Sequence, residues 1–71
     1  MKRFGEKLRM LREKYGLSFR QLGAELGVAH THIAFIENGK RLPSMPLVIA
    51  IAEYFDVSFD ELLDDSIDLK L

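Results

Sequence analysis

The sequence contains no cysteine. That excludes a disulfide framework and a thiolate metal site as support for a thin core, so stability has to come from helix packing. No apolar run approaches the ~20 residues of a membrane span. The start, Met1-Lys2-Arg3-Phe4-Gly5, lacks the apolar stretch of a signal peptide, and a cytoplasmic protein is expected. No segment alternates with period two for long enough to make a strand, and no repeat or low-complexity segment is visible. Asp60, Glu61, Asp64 and Asp65 lack the Asp-x-Asp-x-Asp-Gly pattern of a calcium loop and read as a solvated face. His30 and His32, two apart on a helix, point roughly 200° away from each other and cannot easily share a metal ion. Ser18, Ser44 and Ser58 are better explained as helix caps than as nucleophiles. The chain is therefore read as a non-enzyme with no metal and no cofactor.

What is present suits one small soluble domain: 71 residues, 48% hydrophobic and 30% charged. The net charge of −1 hides a division. Residues 1–41 hold nine Lys/Arg and four Glu, whereas residues 42–71 hold Lys70 alone against seven acidic side chains. A polyanion would be drawn to the first part and repelled by the second. Two solvated faces of opposite sign are the alternative.

Turn signals cut the chain into five short helical pieces. The first covers Phe4–Tyr15, with Leu8, Leu11, Arg12 and Tyr15 at helical spacing and Gly16 as its stop. Ser18 caps the second, Phe19–Leu26, with Gln21 completing a capping box. Gly27 ends it. The third covers Ala29–Glu37, with Ile33 and Ile36 inward, and stops at Asn38-Gly39. Ser44 caps the fourth, which tolerates Pro46 in its first turn and reaches Phe55. Ser58 caps the fifth, with Glu61 completing a second capping box. The fold class is all-α, with a domain at residues 1–63 and a C-terminal tail at 64–71.

The fourth helix carries two apolar stripes. Met45, Val48, Ala52 and Phe55, with Ile51 at the edge, are expected in the core. Leu47, Ala50 and Tyr54 lie nearly opposite, and a helix apolar on both faces is covered on both. The tail, a dimer partner or a further domain is the expected cover; scattered exposed residues are the bland alternative.

The stretch Phe19–Ile36 is the most informative. Two short helices meet at Gly27, and a small residue at Gly23 lets them cross closely. These features, with Leu8-Arg9-Met10-Leu11-Arg12-Glu13, Gly16-Leu17-Ser18, Ile36-Glu37-Asn38-Gly39-Lys40-Arg41, Pro43-Ser44 and Val57-Ser58-Phe59-Asp60-Glu61-Leu62-Leu63, resemble the lambda-repressor-like, Cro/repressor-type helix-turn-helix family. The resemblance implies a five-helix domain whose helix-turn-helix, helices two and three, places the third helix in the major groove of double-stranded DNA, usually as a homodimer.

Residue by residue, the resemblance implies base contact from Ala29, His30, Thr31, His32 and Phe35. It implies phosphate contact at the positions of Phe19, Asn38, Lys40 and Arg41, and a structural ion pair between Arg12 and Glu37. Two positions depart from the family. Phe19 replaces a polar, phosphate-contacting residue; its ring is expected against Tyr15 or sugar atoms, with Arg20 supplying the phosphate contact instead. Phe35 also replaces a polar residue, and either touches thymine methyls or closes the core. The expected dimer surface comprises Leu47, Tyr54, Val57, Phe59, Ile67 and Leu69. The leading expectation is a DNA-binding transcriptional regulator that represses as a homodimer. An antitoxin-like protein-interaction module and a DNA-binding fragment of a longer repressor are the alternatives.

Overall fold

Three helices begin at a serine cap that the sequence supplies, one at a cap from a neighbouring segment, and one, at Ala29, without a side-chain cap. The computed structural model describes residues 1–71 and contains α1 (Phe4–Lys14), α2 (Phe19–Leu26), α3 (His30–Glu37), α4 (Met45–Phe55) and α5 (Phe59–Leu63). At α2 the Ser18 hydroxyl accepts from the Gln21 N–H at 3.0 Å, while the Gln21 side chain accepts from the Ser18 N–H at 2.8 Å. Ser58 and Glu61 repeat this box at α5. Ser44 accepts from the Leu47 N–H at α4, and Pro46 lies in the first turn, where its missing N–H costs nothing.

The helices close around one core: Leu8 and Leu11 of α1, Leu22 of α2, Ile33 and Ile36 of α3, five residues of α4 and Leu62 of α5. The α4 contribution differs from the sequence expectation. Ile51 is at its centre, Leu47 is buried beside it, and Met45 is 60% exposed. The reason is angular. At about 100° per residue, Leu47, Val48, Ile51, Ala52 and Phe55 span a single arc of roughly 140°. The two stripes were the edges of this one wide face. Met45 and Tyr54 fall on its flanks, so of the second stripe the chain itself buries Leu47, half-covers Ala50 and leaves Tyr54 exposed.

Residues 64–69, expected outside the helical domain, fold back along α1, and Leu69 is buried. The reciprocal caps that hold them were not anticipated. The fully buried Lys7 of α1 donates its ammonium to the carbonyls of Glu61, Asp64 and Ile67 at 2.6, 2.8 and 2.6 Å. These carbonyls lie at and beyond the end of α5, where helical partners run out. All three Lys7 donors are used. In return, Asp65 accepts from the N–H groups of Lys2 at 2.8 Å and Arg3 at 2.9 Å, at an α1 start that has no side-chain cap of its own. Arg3 adds a 2.8 Å ion pair with Asp68.

The hydrogen bonds from the N–H groups of Arg3 and Lys2 hold the Asp65 carboxyl down to about 2. An unfolded aspartate titrates near ~3.9. Because the folded value is the lower one, this contribution is complete above the unfolded pKa and is lost as pH falls through the folded one. Thermal melts of the wild type should therefore lose stability between about pH 4 and pH 2. Asp65→Asn should melt lower at pH 7 and show a shallower acid limb. Parallel acid limbs for the two proteins, followed by circular dichroism, would contradict this role.

Candidate nucleic-acid interface

The interface is built on the α2–α3 crossing. Gly27 ends α2 at a φ of 71°, and the Val28 N–H returns to the Gly23 carbonyl at 2.9 Å. The chain passes so close to α2 that a Cβ on Gly23 would stand 2.7 Å from the Val28 carbonyl oxygen and 3.1 Å from the His30 nitrogen. Both are backbone atoms that cannot move independently, so any side chain here would push α3 away from α2.

From this crossing α3 turns Ile33 and Ile36 into the core. Ala29, Thr31 and Phe35 are exposed, and His30 and His32 are half-buried. No group of three or more His, Cys, Asp or Glu side chains is placed to hold a metal ion. Beyond α3, Asn38, Lys40 and Arg41 are exposed, as is Arg20 at the start of α2.

The far end of α3 is tied to α1. Glu37, its last residue, is 3% exposed at the side chain and meets Arg12 in a two-pronged pair of 2.6 and 3.1 Å. The third Arg12 nitrogen donates to the Leu17 carbonyl at 2.8 Å. The carboxylate hydrogen bonds raise the Arg12 pKa above its ordinary value. Gly5 allows the two helices to approach: a Cβ there would collide with the carbonyl oxygens of Ile36 and Glu37.

Phe19 explains its own departure. Its ring lies 4.2 Å from the Arg12 guanidinium carbon and packs against the core. It is a lid over the ion pair, which corrects its expected placement against Tyr15. Tyr15 stacks instead on Phe55, with ring centres 5.5 Å apart.

The charge division also changes in three dimensions. Arg3, Arg9 and Arg12 are paired with carboxylates of the chain, and Lys7 is enclosed. Lys2, Lys14, Arg20, Lys40 and Arg41 make no ion pair, and the last three flank α3 in the sequence of elements.

Among the expected partner-facing residues, Leu47 and Leu69 are buried in the chain's own core and are corrected out of that surface. Val57 and Ile67 are half-buried, while Tyr54 and Phe59 are exposed. Ile49, which sequence reasoning passed over, is exposed with them. Its signal was its helical angle, about 60° beyond the Ala52 edge of the buried arc.

Five helices with this crossing, this pair and this outward α3 row define a lambda-repressor-like helix-turn-helix fold. The chain belongs to the helix-turn-helix family, whose model matches residues 8–62. It is 42% identical over 60 residues to the HTH-type transcriptional activator BcrR of Enterococcus faecalis, covering 84% of this chain and 29% of BcrR. It spans less than a third of the length of BcrR and of two archaeal transcriptional regulatory proteins that it also matches. The structure superposes on the restriction-modification controller protein C.AhdI from Aeromonas hydrophila with a TM-score of 0.77 and 31% identity, covering 87% of this chain and 94% of that one. It superposes on the P22 c2 repressor, solved with a synthetic operator, with a TM-score of 0.80 and 28% identity, covering 86% and 92%.

The buried pair has a direct consequence. Glu37→Ala leaves the Arg12 charge, 13% exposed at the side chain, without its counterion, at a cost of up to about 3–5 kcal/mol. Small domains commonly hold a total near ~5 kcal/mol. The variant should melt far below the wild type or fail to fold. An unchanged melting temperature would show that the pair contributes nothing to the fold.

Proposed function

We propose that the chain is a sequence-specific, double-stranded DNA-binding transcriptional regulator that acts in the cytoplasm as a homodimer on a two-fold-symmetric operator. The observation that carries this reading is the solvent side of α3, with Thr31 and Phe35 exposed, His30 and His32 half-buried on its two flanks and the exposed Ala29 at its N-cap, together with the unpaired cations Arg20 at the start of α2 and Lys40 and Arg41 after α3. A helix in the major groove reads base edges with its outward side chains. Cations beside it neutralise phosphates and fix register without reading sequence. Asn38 adds a side-chain amide at the same end. Repression follows wherever the operator overlaps a promoter, because occupancy excludes the polymerase. The reading requires no cofactor and no catalytic group. The regulator names of the relatives and the operator-bound P22 c2 repressor support it.

Binding should weaken steeply with salt. Three to five phosphate contacts per subunit correspond to a log–log slope of roughly −5 to −9 for a dimer. Thr31→Ala or His30→Ala should alter preference at one or two base positions by about 1–3 kcal/mol for a direct contact. Lys40→Ala should weaken all duplexes nearly equally. Binding-site selection on random duplexes followed by titration checks both. Identical behaviour of helix and loop variants would contradict the assignment.

The dimer surface in this reading joins Tyr54, Val57, Phe59 and Ile67. A monomer reads one half-site, whereas a two-fold dimer reads two about one helical turn, or ~34 Å, apart. Tyr54→Glu would place unpaired charge in the interface and should shift sedimentation to monomer with helicity retained. A wild type that stays monomeric at high concentration and binds one subunit per site would exclude the dimer.

The incomplete coverage of BcrR favours one further reading, in which this domain is the DNA-binding part of a longer regulator. The exposed Tyr54 and Phe59 then also suit a protein partner, as in an antitoxin-like module.

A further inference from the structure

α3 ends in a double turn-back. The Gly39 N–H donates to the Ile36 carbonyl at 3.1 Å, and the Lys40 N–H donates to the Phe35 carbonyl at 2.8 Å. These bonds start the following loop beside Phe35. The next residue, Arg41, brings its guanidinium back over the Phe35 ring, 4.6 Å from the ring centre. Arg41 makes no ion pair within the chain. Phe35 is 37% exposed on the outer side of α3, so one of its faces is covered by the arginine rather than by the core.

Stacking and hydrogen bonding use different parts of a guanidinium. The plane lies on the ring, while the N–H donors point outward from its edge. A surface arginine without such a platform samples many rotamers and loses that freedom when it binds a phosphate. The ring reduces the loss by holding the guanidinium in place before DNA arrives.

We infer that Phe35 is a positioning residue: its ring preorganises Arg41 for a backbone phosphate beside the recognition helix, in place of reading a base. The inference rests on the DNA-binding reading above. It assigns Phe35 to affinity and not to sequence preference. It also accounts for an aromatic residue at a position where the family usually has a polar one.

The test uses the full chain, the best duplex from random selection, and duplexes altered at one base pair each. Phe35→Leu, Phe35→Tyr, Arg41→Ala and the double variant Phe35→Leu/Arg41→Ala are titrated after circular dichroism confirms that each is helical. Phe35→Leu should weaken every duplex by roughly 2- to 5-fold, the scale of an exposed cation–π contact. Phe35→Tyr keeps the ring face and should bind as the wild type does. In the Arg41→Ala background, Phe35→Leu should change nothing further. In the free proteins, the Arg41 side-chain protons should show an upfield ring-current shift in wild type and Phe35→Tyr that disappears in Phe35→Leu. Additive losses, a changed base preference for Phe35→Leu, or Arg41 resonances indifferent to the ring would overturn the inference and leave the DNA reading standing. An Arg41→Ala variant that binds as tightly as wild type, or a wild type that binds no duplex, would overturn the phosphate assignment and the inference with it.

Discussion

The position of α3 depends on the buried pair between Arg12 and Glu37. A carboxylate that is 3% exposed is tolerable only when its charge is answered and its lone pairs are filled. Arg12 answers both by a two-pronged contact, and its remaining nitrogen is occupied by the Leu17 carbonyl. Such geometry admits one orientation of α3 against α1. An apolar pair of similar volume could match it in energy but would not fix the end of the helix in the same way. Gly5 at one end and the Phe19 lid over the guanidinium complete the arrangement.

α1 itself is fixed from its other side by the Lys7 and Asp65 caps. α1 therefore stands between the C-terminal segment and the end of α3, with cations committed in both directions. That commitment separates net charge from the charge available to a ligand. The N-terminal surplus of basic residues includes side chains already engaged in the protein's own hydrogen bonds. Those that remain unpaired include Arg20 at the start of α2 and Lys40 and Arg41 in the loop after α3. That subset is what remains available to a ligand, so the formal charge of −1 says little about what the domain can bind.

The two aromatic departures share one physical explanation. Read as isolated substitutions, Phe19 and Phe35 remove polar side chains from positions where the family contacts DNA. In the fold each lies against an arginine, Phe19 against Arg12 and Phe35 against Arg41. The first ring shields an internal ion pair from water. The second faces solvent and holds its arginine at the edge of α3. Position along the chain does not distinguish these roles. The partner's burial does.

The sequence by itself determined the elements whose causes are local. Capping boxes at Ser18 and Ser58, the stop at Gly27 and the apolar spacing of each segment act over a few residues, which is why all five helices and the helix-turn-helix were legible. Arg12 and Glu37 were legible only through family likeness, since they are 25 residues apart. The tertiary structure alone decided which face of α4 is the core, because the buried arc is set by the neighbours of Leu47 and Ile51 and two apolar edges look alike in sequence. It alone placed Lys7 on the carbonyls after α5 and Asp65 on the start of α1, since a cap supplied from the other end of the chain has no local signature. It also removed Leu47 and Leu69 from any partner surface. Burial is a property of packed neighbours, and those neighbours are chosen by the whole fold.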